Sequence, residues 1–209
     1  MCFDAKTSIT TFCVGTTLNI AGAVYYKDSR FTAMAMVWQW VLLMQVFDAM
    51  AWLYPDCKSI QNKIANRGAY MANITQPIVI FLLFMLITKA GKMNKYIATV
   101  LIMAYISWAL VASQSVKRKE CLSPSGECPH LDYYWWSRGS QGLFYVFIGA
   151  AMFLLLVRPF AFGAVAAGYA GFTLILSMFI YSCGTPSVWC WAAAFAPLIM
   201  GISFKMIAK

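Results

Sequence analysis

The strongest limit on this chain is a hydrophobic run that carries a carboxylate past its midpoint. Trp38 to Tyr54, closed by Pro55-Asp56, is mostly aliphatic and aromatic, yet it holds Gln45 and Asp48. It is close to what a helix needs to cross a bilayer, roughly 20 residues at about 1.5 Å each. An ionised Asp at such a depth costs about 2.5 to 3.5 kcal/mol on insertion scales, so other groups must offset it. At 100° per residue Trp38, Val41, Gln45, Asp48 and Trp52 share one face, while Met36, Leu43, Met50 and Leu53 point elsewhere. Gathered polar groups predict a bundle in which Gln45 and Asp48 face inward, toward a wet cavity or toward structural hydrogen bonds that glue helices together.

Composition agrees with a membrane setting: 62% of residues are hydrophobic, 11% are charged and the mean hydropathy is +0.69, against about 25% charge in soluble domains. The formal charge of +9 does not point to nucleic acid, because the 16 Lys and Arg are scattered through short connections and read as interface anchors. Only Met1 to Lys6 precede the first apolar run. That run is too long and Thr-rich for the core of a cleavable signal peptide, so it is expected to stay as a span.

The fold class expected is all-α, a polytopic membrane protein with seven transmembrane helices in one bundle and a single domain over 1–209. The spans fall at about 7–26, 31–54, 69–88, 96–115, 139–157, 160–183 and 188–206, with one long loop at 116–138. Asp4 is placed to cap the first span, which holds Asn19 and therefore turns toward protein. The connection 55–68 is polar. In the third span Asn73 and Gln76-Pro77 mark a polar half, the proline freeing a carbonyl that neighbours must satisfy. Gly163, Ala167 and Gly171 at four-residue spacing predict a close helix approach in the sixth span. Pro197 predicts a kink in the seventh.

Seven spans put the termini on opposite sides. Lys and Arg divide eight and eight out of 16, leaving only a slight lean toward a cytoplasmic C-terminus. Cysteines speak more clearly: of seven, Cys2, Cys57, Cys121, Cys128, Cys183 and Cys190 map to the N-terminal side and Cys13 lies within the membrane. Cys121 and Cys128 bracket a Pro-Gly turn and are expected to close a disulfide, which makes that side extracellular or lumenal and the C-terminus cytoplasmic.

Two constellations could carry chemistry. Asp48, lined by Gln45, Asn19, Asn73 and Gln76, forms the expected polar core. With no Lys, Arg or His inside any span, its carboxyl becomes able to exchange protons near neutral pH, as a proton-coupled or cation-conducting path requires. On the outer face the single histidine, His130, stands at the level of Cys2, Cys183 and Cys190. These form a set of disulfides or a metal site, without the paired ligand spacing that would identify a metal. No cofactor is assigned. A retinal protein is set aside because the seventh span has no mid-membrane Lys. The usual nucleophile, phosphate-loop and zinc-protease motifs are missing, which leaves an enzyme as the third reading, with a lipid-like molecule held between Asp48 and His130.

The opening Met1-Cys2-Phe3-Asp4-Ala5 with Ser8 and Thr11-Phe12, the segment Gln45-Val-Phe-Asp48-Ala-Met-Ala-Trp52, His130-Leu131-x-Tyr133, and Ser187-Val-Trp-Cys190-Trp-Ala-Ala together resemble an uncharacterised family. Its members are small seven-span membrane proteins opening Met-Cys-Phe-Ser or Met-Cys-Phe-Asn, found in bacteria and in large DNA viruses of algae and amoebae. Family members usually place a Glu where this chain has Asp48, which moves the carboxylate by about a methylene. The resemblance brings no activity and leaves a bacterial or a virus-encoded origin open, but it marks Cys2, Asp48, His130 and Cys190 as the residues to test first.

The expected function is movement of a small solute or ion through a protonatable intramembrane carboxylate. The alternative is a non-transporting viral or cell-surface module whose cysteine-rich outer face binds a partner or metal. Expected partners are the lipid bilayer and that solute or ion, with no nucleic acid; self-association is left open.

Overall fold

The computed structural model describes residues 4–87, 92–114, 121–125, 128–131, 143–144, 146–148, 160–180 and 185–207. Its long elements are all helical: α1 (Ala5–Tyr26), α2 (Ser29–Leu53), α3 (Ile60–Ile74), α4 (Gln76–Ile87), α5 (Lys92–Gln114), α6 (Phe160–Ile180) and α7 (Thr185–Ile207). One short antiparallel hairpin, β1 (Pro124–Ser125) with β2 (Cys128–Leu131), interrupts them. Within the described residues, Ser29–Leu53 and Lys95–Ala112 are long and apolar enough to cross a membrane.

Helix α2 is the axle of the fold, packing against α1, α3, α4 and α7. Its Phe31, Trp38 and Leu42 join Phe81, Tyr105 and Met200 in the main core. A second cluster, with Met44 and Ala51, receives Ala65 and Ala69 of α3 and Leu122 and Leu131 from the hairpin region. Many large apolar side chains face outward instead, among them Val24, Leu110, Val111 and Phe179.

Local chemistry explains the ends. Asp4 caps α1 by accepting from the Thr7 amide at 2.6 Å, as its position in the sequence predicts. Lys27 then leaves α1 in the left-handed region at φ 50°, and Asp28 caps α2 through the Arg30 amide at 2.8 Å. With only Lys27 and Asp28 between them, α1 and α2 must run antiparallel.

The connection expected at 55–68 is helical from Ile60 onward, because Ser59 caps α3 by accepting from the Asn62 amide at 3.1 Å; the polar composition of 60–68 reflects where that helix lies, ahead of the span expected from about Ala69. Pro77 falls in the first turn of α4, where a missing N–H costs little. The carbonyls it disturbs are met, Asn73 O by the Thr75 amide and Ile74 O by the Tyr105 hydroxyl at 2.6 Å.

Helix α7 begins at Thr185, three residues before the span expected from 188, with Pro186 in its first turn. A Cβ at Gly171 would meet nothing within 4 Å among the described residues, and the surroundings of Gly163 and Ala167 lie outside them. The tight crossings lie at Gly15, Gly22 and Gly68, whose added Cβ would strike Leu42, Phe31 and Phe47. Pro197 sits inside α7 as expected, and most of the predicted span 139–157 lies outside the described residues.

The α1–α2 turn supplies a pH test. The hydrogen bond from the Arg30 guanidinium holds the Asp28 carboxyl below the usual carboxylate range, helped by the Arg30 amide and charge. A lowered pKa stabilises the fold above the ordinary value of about 4 and loses that contribution as pH falls through the depressed one. Thermal stability should therefore decline in acid. Asp28→Asn, which keeps a capping side chain, should flatten that decline while costing about 1 kcal/mol or less at neutral pH, the pair being partly exposed. An unchanged acid slope in melts of the variant would count against it.

Candidate functional site

On α1 the residues Ser8, Thr11, Gly15 and Asn19 are buried, spaced three, four and four apart. This stripe of small and polar side chains lies against the face of α2 that holds Gln45 and Asp48, 2% and 0% exposed. Thr11 Oγ1 lies 3.4 Å from Gln45 Oε1 and already gives its proton to the Thr7 carbonyl at 2.9 Å. An amide turned to offer its NH2 to Thr11 would satisfy both groups. Farther along, Asn19 Nδ2 donates to Gln39 Oε1 at 3.2 Å and Gln39 Nε2 donates to Thr16 Oγ1 at 3.0 Å. The same antiparallel register sets Ser8 level with Asp48.

Polar groups therefore form a file along the seam between α1 and α2 rather than one cluster. Asp48 and Gln45 are one turn apart. Asn19 is eleven residues from Ser8 and so about 16 Å farther along the axis. Trp40 Nε1 donates to Thr75 Oγ1 at 3.0 Å, which sets Asn73 and Gln76 nearer the level of Trp40 than that of Asp48. Asn19 Oδ1, inside the seam, and Trp38 Nε1, whose ring packs against Tyr169 of α6, are buried and meet no hydrogen-bond partner among the described residues. Native interiors seldom leave such atoms unmet without water or a guest.

Compared with protein-family models, curated proteins and solved structures, the chain matches none of them. Its chemistry must be read from its own side chains.

At the Asp4 end of the helices the cysteine pairing differs from expectation. Cys121 bonds to Cys57, 64 residues away with Cα atoms 5.1 Å apart, and is therefore not paired with Cys128. A Pro-Gly turn between two cysteines permits a local loop, but Asn62 draws Cys121 elsewhere. That side chain, wholly buried, donates Nδ2 to Leu122 O at 2.8 Å and to Tyr54 O at 2.9 Å. It also accepts from the Leu122 amide at 2.9 Å. The amide thus acts as a peptide-like clamp that seats residue 122 beside α3 and brings Cys121 to Cys57.

Cys190, buried in the second turn of α7, is also disulfide-bonded. Cys13 is free and exposed. Cys2 and Cys183 lie outside the described residues, as do the side chains of Cys128 and His130, whose backbones belong to β2. No group of three or more His, Cys, Asp or Glu side chains gathers among the described residues. Cys57, Cys121 and Cys190, being oxidised, are not thiolate ligands.

Sequence reasoning missed Gln39 and Asn62. The three-four-four spacing on α1 was a usable signal for the seam, and Gln39 follows from pairing that stripe antiparallel with α2. Nothing in the sequence distinguishes Asn62 from the other polar residues of 55–68.

Proposed function

We propose that this chain is a multi-pass membrane protein of seven spans in one bundle that moves a small solute or ion, with Asp48 as the proton-exchanging carboxyl. The observation that carries the reading is the buried polar file of Ser8, Thr11, Gln45 and Asp48, continued by Asn19, Gln39 and Thr16. It runs between helices that turn large aliphatic side chains outward. Hydroxyls and amides with exchangeable partners are what a desolvated ion or polar solute needs on its way through. The orphaned Asn19 Oδ1 offers an acceptor on that route.

Helix directions support the seven-span topology. Hydrogen bonds, ring contacts and close approaches make α2 antiparallel to α1 and to α3, and α7 parallel to α1. That alternation is required of successive spans joined by short loops, with 139–157 supplying the remaining one. Oxidised Cys57, Cys121 and Cys190 all stand at the Asp4 end, which supports an extracellular or lumenal N-terminus and a cytoplasmic C-terminus. Membership of the family with the Met-Cys-Phe opening belongs to the same proposal.

In proteoliposomes loaded with a pH-sensitive dye, the chain should carry flux driven by a pH or ion gradient. Asp48→Asn should lower it at least tenfold and remove its pH dependence, while Asp48→Glu keeps both. Equal flux and an equal pH profile in Asp48→Asn would remove the role given to Asp48.

A second reading draws on the clamped outer end. Asn62 and the disulfide fix a hairpin there, as a surface that docks a partner requires. A chain without flux that retains a protein partner only when Cys57 and Cys121 are oxidised would favour it.

A further inference from the structure

The first two turns of α3 are amphipathic in an inverted sense. Their buried side is made of small and amide side chains, Asn62, Ala65 and Asn66, while Ile60 and Ile64 face outward at 67% and 50% exposure. Lys58, Lys63 and Arg67 stand beside the two isoleucines, and the five residues line a groove of about 400 Å³. The only acid close in sequence, Asp56, is engaged by the Lys58 amide at 2.9 Å. In water such a surface leaves two large aliphatic side chains and three cations uncovered.

We propose that this groove is a binding site for one anionic phospholipid, its phosphodiester held by Lys58, Lys63 and Arg67 and the start of an acyl chain laid along Ile60 and Ile64. The assignment rests on the membrane-spanning reading given above. Residues 60–87 of α3 and α4 form about 42 Å of helix, whereas a hydrocarbon core is about 30 Å thick, or about 20 residues. Counted back from Ile87, those 20 residues end near Gly68. The stretch Ile60 to Arg67 then lies in the headgroup layer of the leaflet on the Asp4 side, where lysine and arginine stems run along apolar surface and their charges reach phosphate. A free inorganic anion would satisfy the cations but not the isoleucines. A zwitterionic lipid would cover the isoleucines but present no net charge to three cations.

The test uses the full chain purified in detergent. Membranes of the producing cells are first washed in alkaline carbonate, and a chain released by that wash overturns both the membrane reading and this site. For a retained chain, native mass spectrometry is run with phosphatidylglycerol, with phosphatidylcholine and with inorganic phosphate. One phosphatidylglycerol should remain bound under activation that strips phosphatidylcholine, and millimolar phosphate should not displace it.

Lys63→Gln combined with Arg67→Gln should weaken phosphatidylglycerol binding about 25-fold, at about fivefold per cation near a headgroup layer. Ile60→Ser combined with Ile64→Ser should weaken it by a smaller factor. Both pairs sit on the exposed side of α3, and an intact Cys57–Cys121 disulfide reports that each variant is folded. Equal retention of the two lipids overturns the site, and so does undiminished phosphatidylglycerol binding in the Lys63 and Arg67 variant. Displacement by phosphate also overturns it, in favour of a simple anion site.

Discussion

Gly15→Ala should destabilise the protein by about 3 kcal/mol, the upper part of the range for overpacked interiors. A Cβ at position 15 would stand 2.5 Å from Leu42 Cδ1 and 3.2 Å from the Cα of Ala194. The leucine methyl could turn aside. The backbone of α7 cannot, because Tyr26, which follows on α1, is anchored to it by a hydroxyl hydrogen bond to the Gly201 carbonyl. Three helices therefore meet at a point where only glycine fits.

The variant can be followed by unfolding purified protein in mixed micelles with rising SDS. Leu42→Ala is costly by itself, about 2 to 5 kcal/mol for a buried leucine, but it removes the nearer clash. Adding Gly15→Ala to it should cost less than about 1 kcal/mol more, a coupling that separates packing from helix propensity. Alanine is the better helix former, so an unchanged or raised midpoint in Gly15→Ala would mean that the three helices do not meet there.

Asn62→Ala should have a comparable effect, confined to one end. It leaves the amide and carbonyl of Leu122 and the carbonyl of Tyr54 without their partner, at about 1 to 3 kcal/mol for each buried group left unmet. A loss of about 3 kcal/mol corresponds to roughly 100-fold faster hydrogen exchange at Leu122. While Cys57 and Cys121 remain bonded the segment stays tethered, and global unfolding should move less than local exchange does. Reduction, or Cys57→Ser, should add to the loss. Disulfides contribute about 2 to 4 kcal/mol, here reduced because the helices between the two cysteines already restrict the unfolded chain. Peptide-resolved exchange, oxidised and reduced, checks both parts, and equal protection in wild type and Asn62→Ala would show that the clamp carries no energy.

The Asn62 result matters for function because the clamped end and the polar seam are adjacent. Met44 of α2 and Leu122 share one apolar cluster, one residue from Gln45 on the chain. A variant that frees residue 122 therefore also tests whether the clamped end closes over the Asp48 level of the seam. If it does, Asn62→Ala should alter flux without removing its pH dependence, unlike Asp48→Asn.

Hydropathy along the chain set much of this protein before any contact was known. Helix α1 starts at Asp4 because an Asp there can cap, and α2 turns Gln45 and Asp48 inward because they share a face with Trp38 and Val41. Those are one-dimensional facts, settled by helical period and the cost of a lone polar group among apolar ones.

Tertiary structure decided the rest. Polar residues were recognisable, but their partners depend on helix register: Asn19 meets Gln39, and Gln45 meets Thr11, because α1 and α2 lie antiparallel across a two-residue turn. Cys121 chose Cys57 over the nearer Cys128 because a buried amide at position 62 fixes the neighbouring backbone. Among the described residues, close crossings occur at Gly15, Gly22 and Gly68, where opposing side chains fill the space. Periodicity along a chain determines which face is buried. Which residue stands opposite depends on distances between helices, and those exist only once the helices have packed.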